Sequence, residues 1–203
     1  MKTEIYAHSS IRIEADGKVL CFDPFRVSAE PHDADVIFFT HSHYDHFSPE
    51  DFAKLAKEET VFVAPESMRK EAEGMNCVFL KPGETKEIAG FSVEGIRAYN
   101  PAKQFHPKEN DWLGYAVRLS EGRIYVCGDT DRTPEAEAVA CDVVFAPVGG
   151  KYTMDAKEAA ELINIIRPKL AIPTHYAAII GSEDDGKTFA GLLDEGIACE
   201  LYI

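Results

Sequence analysis

The sequence predicts one α/β domain of mixed (α+β) character, a mixed sheet flanked by helices, and three observations carry that prediction. Short apolar runs alternate with helical periodicity over the first and last thirds of the chain, the middle is β-rich, and no linker, repeat or low-complexity stretch divides residues 1–203. With 45% hydrophobic and 28% charged residues in 203, the chain can bury a sizeable core and does not fit disorder, collagen or a membrane span.

KTEIYA, then SIRIEAD with Ile11 and Ile13 alternating against Arg12 and Glu14, then KVLCFDP after a turn at Asp16-Gly17, predict a meander at a sheet edge. DVIFFT (35–40) is a continuous apolar run, the pattern of a strand covered on both faces. A helix is expected after the polar stretch HSHYDHF. Ser48 suits its N-cap and Pro49 its first position, Glu50 and Asp51 complement the positive end of the dipole, and Phe52, Leu55 and Ala56 share a face. Strand-like TVFVA, helix-like PESMRKEAEG, strand-like CVFL and a turn at Lys81-Pro82-Gly83 follow. FSVEGIRAYN, GYAVRLS and GRIYVCG read as strands, and the polar insert PAKQFHPKENDWL between the first two reads as a loop reaching across something. The last third predicts a short helix over 134–140, strand DVVFAP, a helix over 155–167 ended by Pro168, strand KLAIPTH, a helix over 184–195 ended by Gly196, and a final strand IACELYI.

Charge and cysteine usage narrow the function classes. The formal charge of −14 argues against nucleic acid and anionic membrane as partners. Five cysteines, an odd set without CxxC and mostly in apolar runs, predict reduced thiols in a reducing compartment. The opening MKTEIYAHSSIRIEADG lacks the unbroken apolar core of a signal peptide, so a cytoplasmic protein is expected.

The chemistry concentrates in H-S-H-Y-D-H. His41, His43, Asp45 and His46 place four potential ligands in six residues directly after an apolar strand. Alternate residues of extended chain project the same way, so His41 and His43 can share one metal. Imidazole suits Zn, Fe, Ni and Cu, and a carboxylate widens the choice to Mn. Further candidates lie where a metal site would need them: His106 in the polar insert, Asp129 after IYVC in V-C-G-D-T, and His175 after LAIPT in P-T-H-Y.

H-S-H-Y-D-H, G-D-T and P-T-H-Y in that order closely resemble the signature of the metallo-β-lactamase superfamily, H-x-H-x-D-H followed by a distant His, an Asp and a final His. H-S-S (8–10), F-D-P-F (22–25) and G-G-K-Y-T-M (149–154) resemble more narrowly the branch of small hydrolases that includes ascorbate-6-phosphate lactonase and the N-acyl-phosphatidylethanolamine phospholipase D group. The resemblance implies a four-layer αββα sandwich. It implies two divalent metal ions, zinc foremost with Mn, Fe or Ni as alternatives: one held by His41, His43 and His106, the other by Asp45, His46 and His175, with Asp129 bridging. His8 and Asp23 are expected just behind the ligands. Asp129 stands where the main dizinc β-lactamases place Cys, and His43 where flavodiiron oxygen reductases place Glu. The first departure argues against an antibiotic lactamase, and the second favours a hydrolytic site over a redox one.

The expected activity is hydrolysis of an ester, lactone or related bond of a small molecule, phosphorylated or not, by a metal-activated hydroxide, with Asp45 orienting the water and shuttling its proton. Two alternatives stand beside it: a phosphodiesterase on a small or cyclic nucleotide, and a non-catalytic metal-binding or regulatory protein. Lys151 and Tyr152, with Lys103, Lys108 and Trp112, are candidates for gripping substrate, and Tyr44 and Tyr176 for walling the pocket. A homo-oligomer is compatible with the sequence.

Overall fold

The computed structural model describes all residues, 1–203. Strands β1 (Lys2–Ala7), β2 (Ser10–Ala15), β3 (Lys18–Phe22), β4 (Ala34–Phe38), β5 (Ala56–Pro65) and β6 (Cys77–Leu80) form one sheet in sequential order. Its first three strands are antiparallel neighbours and the rest are parallel. The second sheet runs β7 (Thr85–Ile88), β8 (Phe91–Arg97), β9 (Leu113–Leu119), β10 (Gly122–Val126), β11 (Val143–Pro147), β12 (Leu170–Thr174) and β13 (Ala198–Cys199), again in sequential order. Its first four strands are antiparallel and its last four parallel. The Asp16-Gly17 turn closes β2 on β3 with positive φ at both residues (53° and 73°), the geometry that makes Asp-Gly a tight hairpin.

Strand alternation builds the layers. Leu20, Phe22, Val36 and Phe38 point between the sheets, where they meet Tyr115, Val117, Ile124, Phe145 and Ile172. Each such side chain contributes about 1.5–3 kcal/mol relative to exposure. Cys21, Ile37 and Phe39 point the other way, under α1 (Pro49–Leu55) and a 3₁₀ turn at Glu66–Met68. Val144, Ala146, Tyr125 and Cys127 face α2 (Pro134–Glu137), α3 (Ala156–Ile166) and α4 (Glu183–Gly191) on the outer side of the second sheet. The result is helix, sheet, sheet, helix. None of the helices is long and apolar enough to cross a membrane, and all five cysteines are free.

Several elements differ from the sequence expectation. PESMRKEAEG is a 3₁₀ turn followed by irregular turns, because only Met68 and Ala72 find apolar cover and the chain must return Cys77 beside Phe62. Ala56 opens β5 instead of extending α1. Ser48 occupies the N-cap, but its hydroxyl donates to the Asp51 carboxylate (2.9 Å), which itself accepts the Arg26 and Val27 amides and ties loop 23–33 to the helix. TKEI, polar enough to pass for a turn, is strand β7 because β8 pairs with it. α2 stops at Glu137 and α4 at Gly191. The terminal strand keeps two residues, since only Leu170 and Ala171 of β12 are left to pair.

Candidate metal centre

The site lies where parallel strands end together. β3 delivers Asp23, β4 delivers Thr40 and His41, β10 delivers Asp129, and β12 delivers His175. The two sheets are tied beside it: Tyr115 Oη donates to the Phe39 carbonyl (2.7 Å) and the Leu113 amide to the Thr40 carbonyl (3.1 Å). His8 sits at the tip of the β1–β2 turn with φ 58°, and its carbonyl accepts the His175 amide at 2.9 Å. Gly149 backs His175 so closely that a Cβ there would lie 2.1 Å from the His175 carbonyl oxygen; glycine is the residue that permits this approach.

All seven candidate ligands converge. His41, His43 and His106 have donor atoms within 4.8 Å of one another, as do His8, Asp45, His46 and His175, and as do His41, His46 and Asp129, which joins the two groups. Asp129 is the hub: its Oδ2 lies 2.9 Å from His175 Nε2, 3.2 Å from His106 Nε2 and 4.0 Å from His41 Nε2, and its Oδ1 lies 3.3 Å from His46 Nε2.

The polar partners behind the rings fix which nitrogen faces the hub. Asp23, fully buried, accepts the Thr40 amide (2.7 Å), the Thr40 hydroxyl (2.6 Å) and His46 Nδ1–H (2.7 Å). With its own proton given to Asp23, the Thr40 hydroxyl accepts from His41 Nδ1–H at 2.9 Å. His106 Nδ1 faces two acceptors, Asn100 Oδ1 (2.7 Å) and the Tyr152 carbonyl (3.1 Å), so it too carries the hydrogen. Three rings are thereby committed at Nδ1 and turn Nε2 toward Asp129. Asn100 was not singled out in the sequence; its place ahead of Pro101 gave no chemical signal.

His8, His46, His106 and His175 each bury an Nε2 with no hydrogen-bond partner, and Asp129 Oδ1 is likewise unsatisfied. Buried polar atoms are rarely left unpaired, and so many aimed at one point fit cations better than each other. Burial pushes His41 well below the ordinary imidazole range, with His46 adding to the effect, and lowers His8 to about 4; both are neutral, the form that binds metal. Burial alone would lower His46, yet Asp129 and Asp23 raise it well above that range. Burial also pushes Asp23 up; of this pair the proton stays on His46 Nδ1, since Asp23 already accepts two hydrogen bonds from Thr40. Burial raises the Asp45 carboxyl, but the adjacent His8 and His46 outweigh it and bring it down to about 2.

A family model described as the beta-lactamase superfamily domain matches residues 3–175. The chain belongs to this superfamily. Similar proteins include a UPF0173 metal-dependent hydrolase of Methanopyrus kandleri, 27% identical with 100% of this chain and 96% of the relative covered. Another, from a Geobacillus species, is 30% identical over 97% of this chain and 95% of its own length. A solved structure from Parabacteroides distasonis has a TM-score of 0.86 at 27% identity, covering 98% of this chain and 91% of its own.

In this superfamily member the centre opens into a cavity of about 250 Å³. Tyr44, Phe105, Tyr152 and Ile179 complete its wall. Trp112 lies against His41 and His43, with ring centroids at 4.9 Å to each. Tyr176 faces elsewhere: it is buried in the outer core and donates its hydroxyl to the Ile203 carbonyl. Lys103 and Lys108 are held by Asp131 and Glu135, and the Lys151 ammonium sits over the Tyr152 ring, outside the cavity wall.

Proposed function

We propose that this metal-dependent hydrolase of the superfamily cleaves an ester, lactone or related bond of a small molecule. His41, His43 and His106 would hold one divalent ion, Asp45, His46 and His175 a second, and Asp129 would lie between them. The observation that supports this reading is the convergence on Asp129 of the buried, unpartnered Nε2 atoms of His46, His106 and His175. When bound, such ions supply Lewis acidity and bring the pKa of a water down toward ~7. Zinc suits the donors, and Mn, Fe or Ni are accepted by the same set.

The chain's own residues do the rest. Thr40, Asp23 and Asn100 fix the ring orientations, so the Nε2 atoms of His41, His46 and His106 face the centre before anything binds. Asp45, ionised at neutral pH, takes the proton of the attacking water and passes it to the leaving oxygen. His8 Nε2, 3.3 Å from Asp45 Oδ2, limits where that carboxylate can swing. Trp112 packs on the His41 and His43 rings and covers that side of the centre. The free cysteines support a reducing, cytoplasmic setting.

The test uses metal-loaded protein on a panel of neutral esters, lactones and thioesters beside bis(p-nitrophenyl) phosphate. Carbonyl hydrolysis that disappears on chelation and falls by at least about 100-fold in Asp45→Asn is expected. Turnover confined to the phosphodiester would refute the carbonyl assignment.

A further inference from the structure

The cavity wall divides cleanly. Five of its nine residues belong to the metal-ligand set, and the other four are Tyr44, Phe105, Tyr152 and Ile179. None of these four carries a charge. Tyr44 is 67% exposed and Phe105 41%, so large apolar side chains stand in water at the mouth, where no core needs them. Phe105 meets Tyr152 edge-on at 4.6 Å and extends the same surface. Apolar area left in solvent around a concave site gains free energy when a ligand covers it.

Of the nearby lysines, two are paired with carboxylates and the third rests on the Tyr152 ring. The Lys103 ammonium lies 2.5 Å from Asp131 and 2.7 Å from the Thr153 carbonyl. Lys108 bonds Glu135 (2.9 Å) and the Tyr99 hydroxyl (3.1 Å). Lys151 lies 4.7 Å over the Tyr152 ring. A phosphate or carboxylate on the part of the substrate away from the reacting bond would find no guanidinium or ammonium in the wall to replace its water, in a chain of net charge −14, and leaving an anion unpaired there is costly.

We infer that the site takes uncharged substrates, carboxylic esters or lactones whose aliphatic or aryl part packs on Tyr44, Phe105, Tyr152 and Ile179, and that it selects against phosphorylated ones. This rests on the hydrolytic reading above. The reaction is ester plus water to acid plus alcohol: the acyl C–O bond breaks, the water oxygen joins the acyl carbon, and the water proton travels through Asp45 to the departing alkoxide.

Burial of one methylene against such a wall raises kcat/KM about threefold to fourfold. With metal-loaded full-length protein, kcat/KM is therefore expected to climb at that rate from p-nitrophenyl acetate to butyrate to hexanoate. The anionic p-nitrophenyl hemisuccinate should fall at least about tenfold below the butyrate. Phe105→Ser should shrink the hexanoate-to-acetate ratio. A turnover-independent arm compares hexanamide with acetamide by calorimetry, with at least about tenfold tighter binding expected for hexanamide. A flat chain-length series, hemisuccinate cleaved as fast as butyrate, or hexanamide binding no tighter than acetamide overturns the inference. Loss of turnover on every ester, with tight hexanamide binding retained, would sink the hydrolytic reading and leave the apolar site standing.

Discussion

Asp23→Ala tests the layer behind the rings. Asp23 is fully buried and accepts three hydrogen bonds at 2.6–2.7 Å, from the Thr40 amide, the Thr40 hydroxyl and His46 Nδ1. Truncation leaves the amide and the imidazole N–H without an acceptor, while the hydroxyl can rotate. Two orphaned buried donors at about 1–3 kcal/mol each give a loss of about 2–6 kcal/mol, or roughly 5–15 °C in Tm for a chain of this size. Because Asp23 sets the His46 tautomer, affinity at the Asp45, His46 and His175 side should drop about 10- to 100-fold. The assays are thermal unfolding of the metal-free protein by circular dichroism and metal titration against a chromophoric chelator. Asp23→Asn, which keeps the volume and one acceptor oxygen, should fall between wild type and Asp23→Ala on both. An Asp23→Ala protein with unchanged Tm and unchanged metal affinity would refute the reasoning.

Other consequences can be measured directly. Asp129 and Asp23 hold His46 protonated above the usual imidazole range, so metal uptake near neutral pH should release a proton and strengthen as pH rises; calorimetry in buffers of different ionisation enthalpy checks this, and uptake without proton release contradicts it. Gly149→Ala drives a Cβ to 2.1 Å from the His175 carbonyl and should destabilise by about 1–3 kcal/mol while weakening metal retention; denaturant titration and metal analysis of the variant read both. Burial pushes the thiols of Cys21, Cys77 and Cys141 to about 12 and that of Cys199 to about 11. A thiol reagent near pH 8 should therefore react slowly with native protein and rapidly after unfolding, and prompt native reaction would count against the burial described.

Much of this architecture can be read from the chain because its parallel strands are plain apolar runs and its candidate ligands follow them immediately. DVIFFT ending in His41, GRIYVCG in Asp129 and KLAIPTH in His175 needed no knowledge of the partner strand to be recognised as strand ends. TKEI was different: two of its four residues are exposed, and only pairing with β8 makes it a strand. The PESMRKEAEG segment has helix formers, but only Met68 and Ala72 find apolar cover, too narrow a stripe to hold a helix on the sheet. At the site, His8 was expected behind the ligands, whereas the turn at the β1–β2 tip brings it into one 4.8 Å group with Asp45, His46 and His175. Asn100 and Tyr152, which lock His106, act through an amide side chain and a backbone carbonyl, and neither leaves a mark in residue type or spacing.

The central claim is that the buried nitrogens around Asp129 belong to cations. Elemental analysis of protein purified without added metal tests it most directly. About two equivalents of divalent transition metal per chain, falling toward one in a His41→Ala/His43→Ala variant, is the predicted result. Metal-free protein that also takes up none on titration, or a double variant that keeps its full complement, would contradict it.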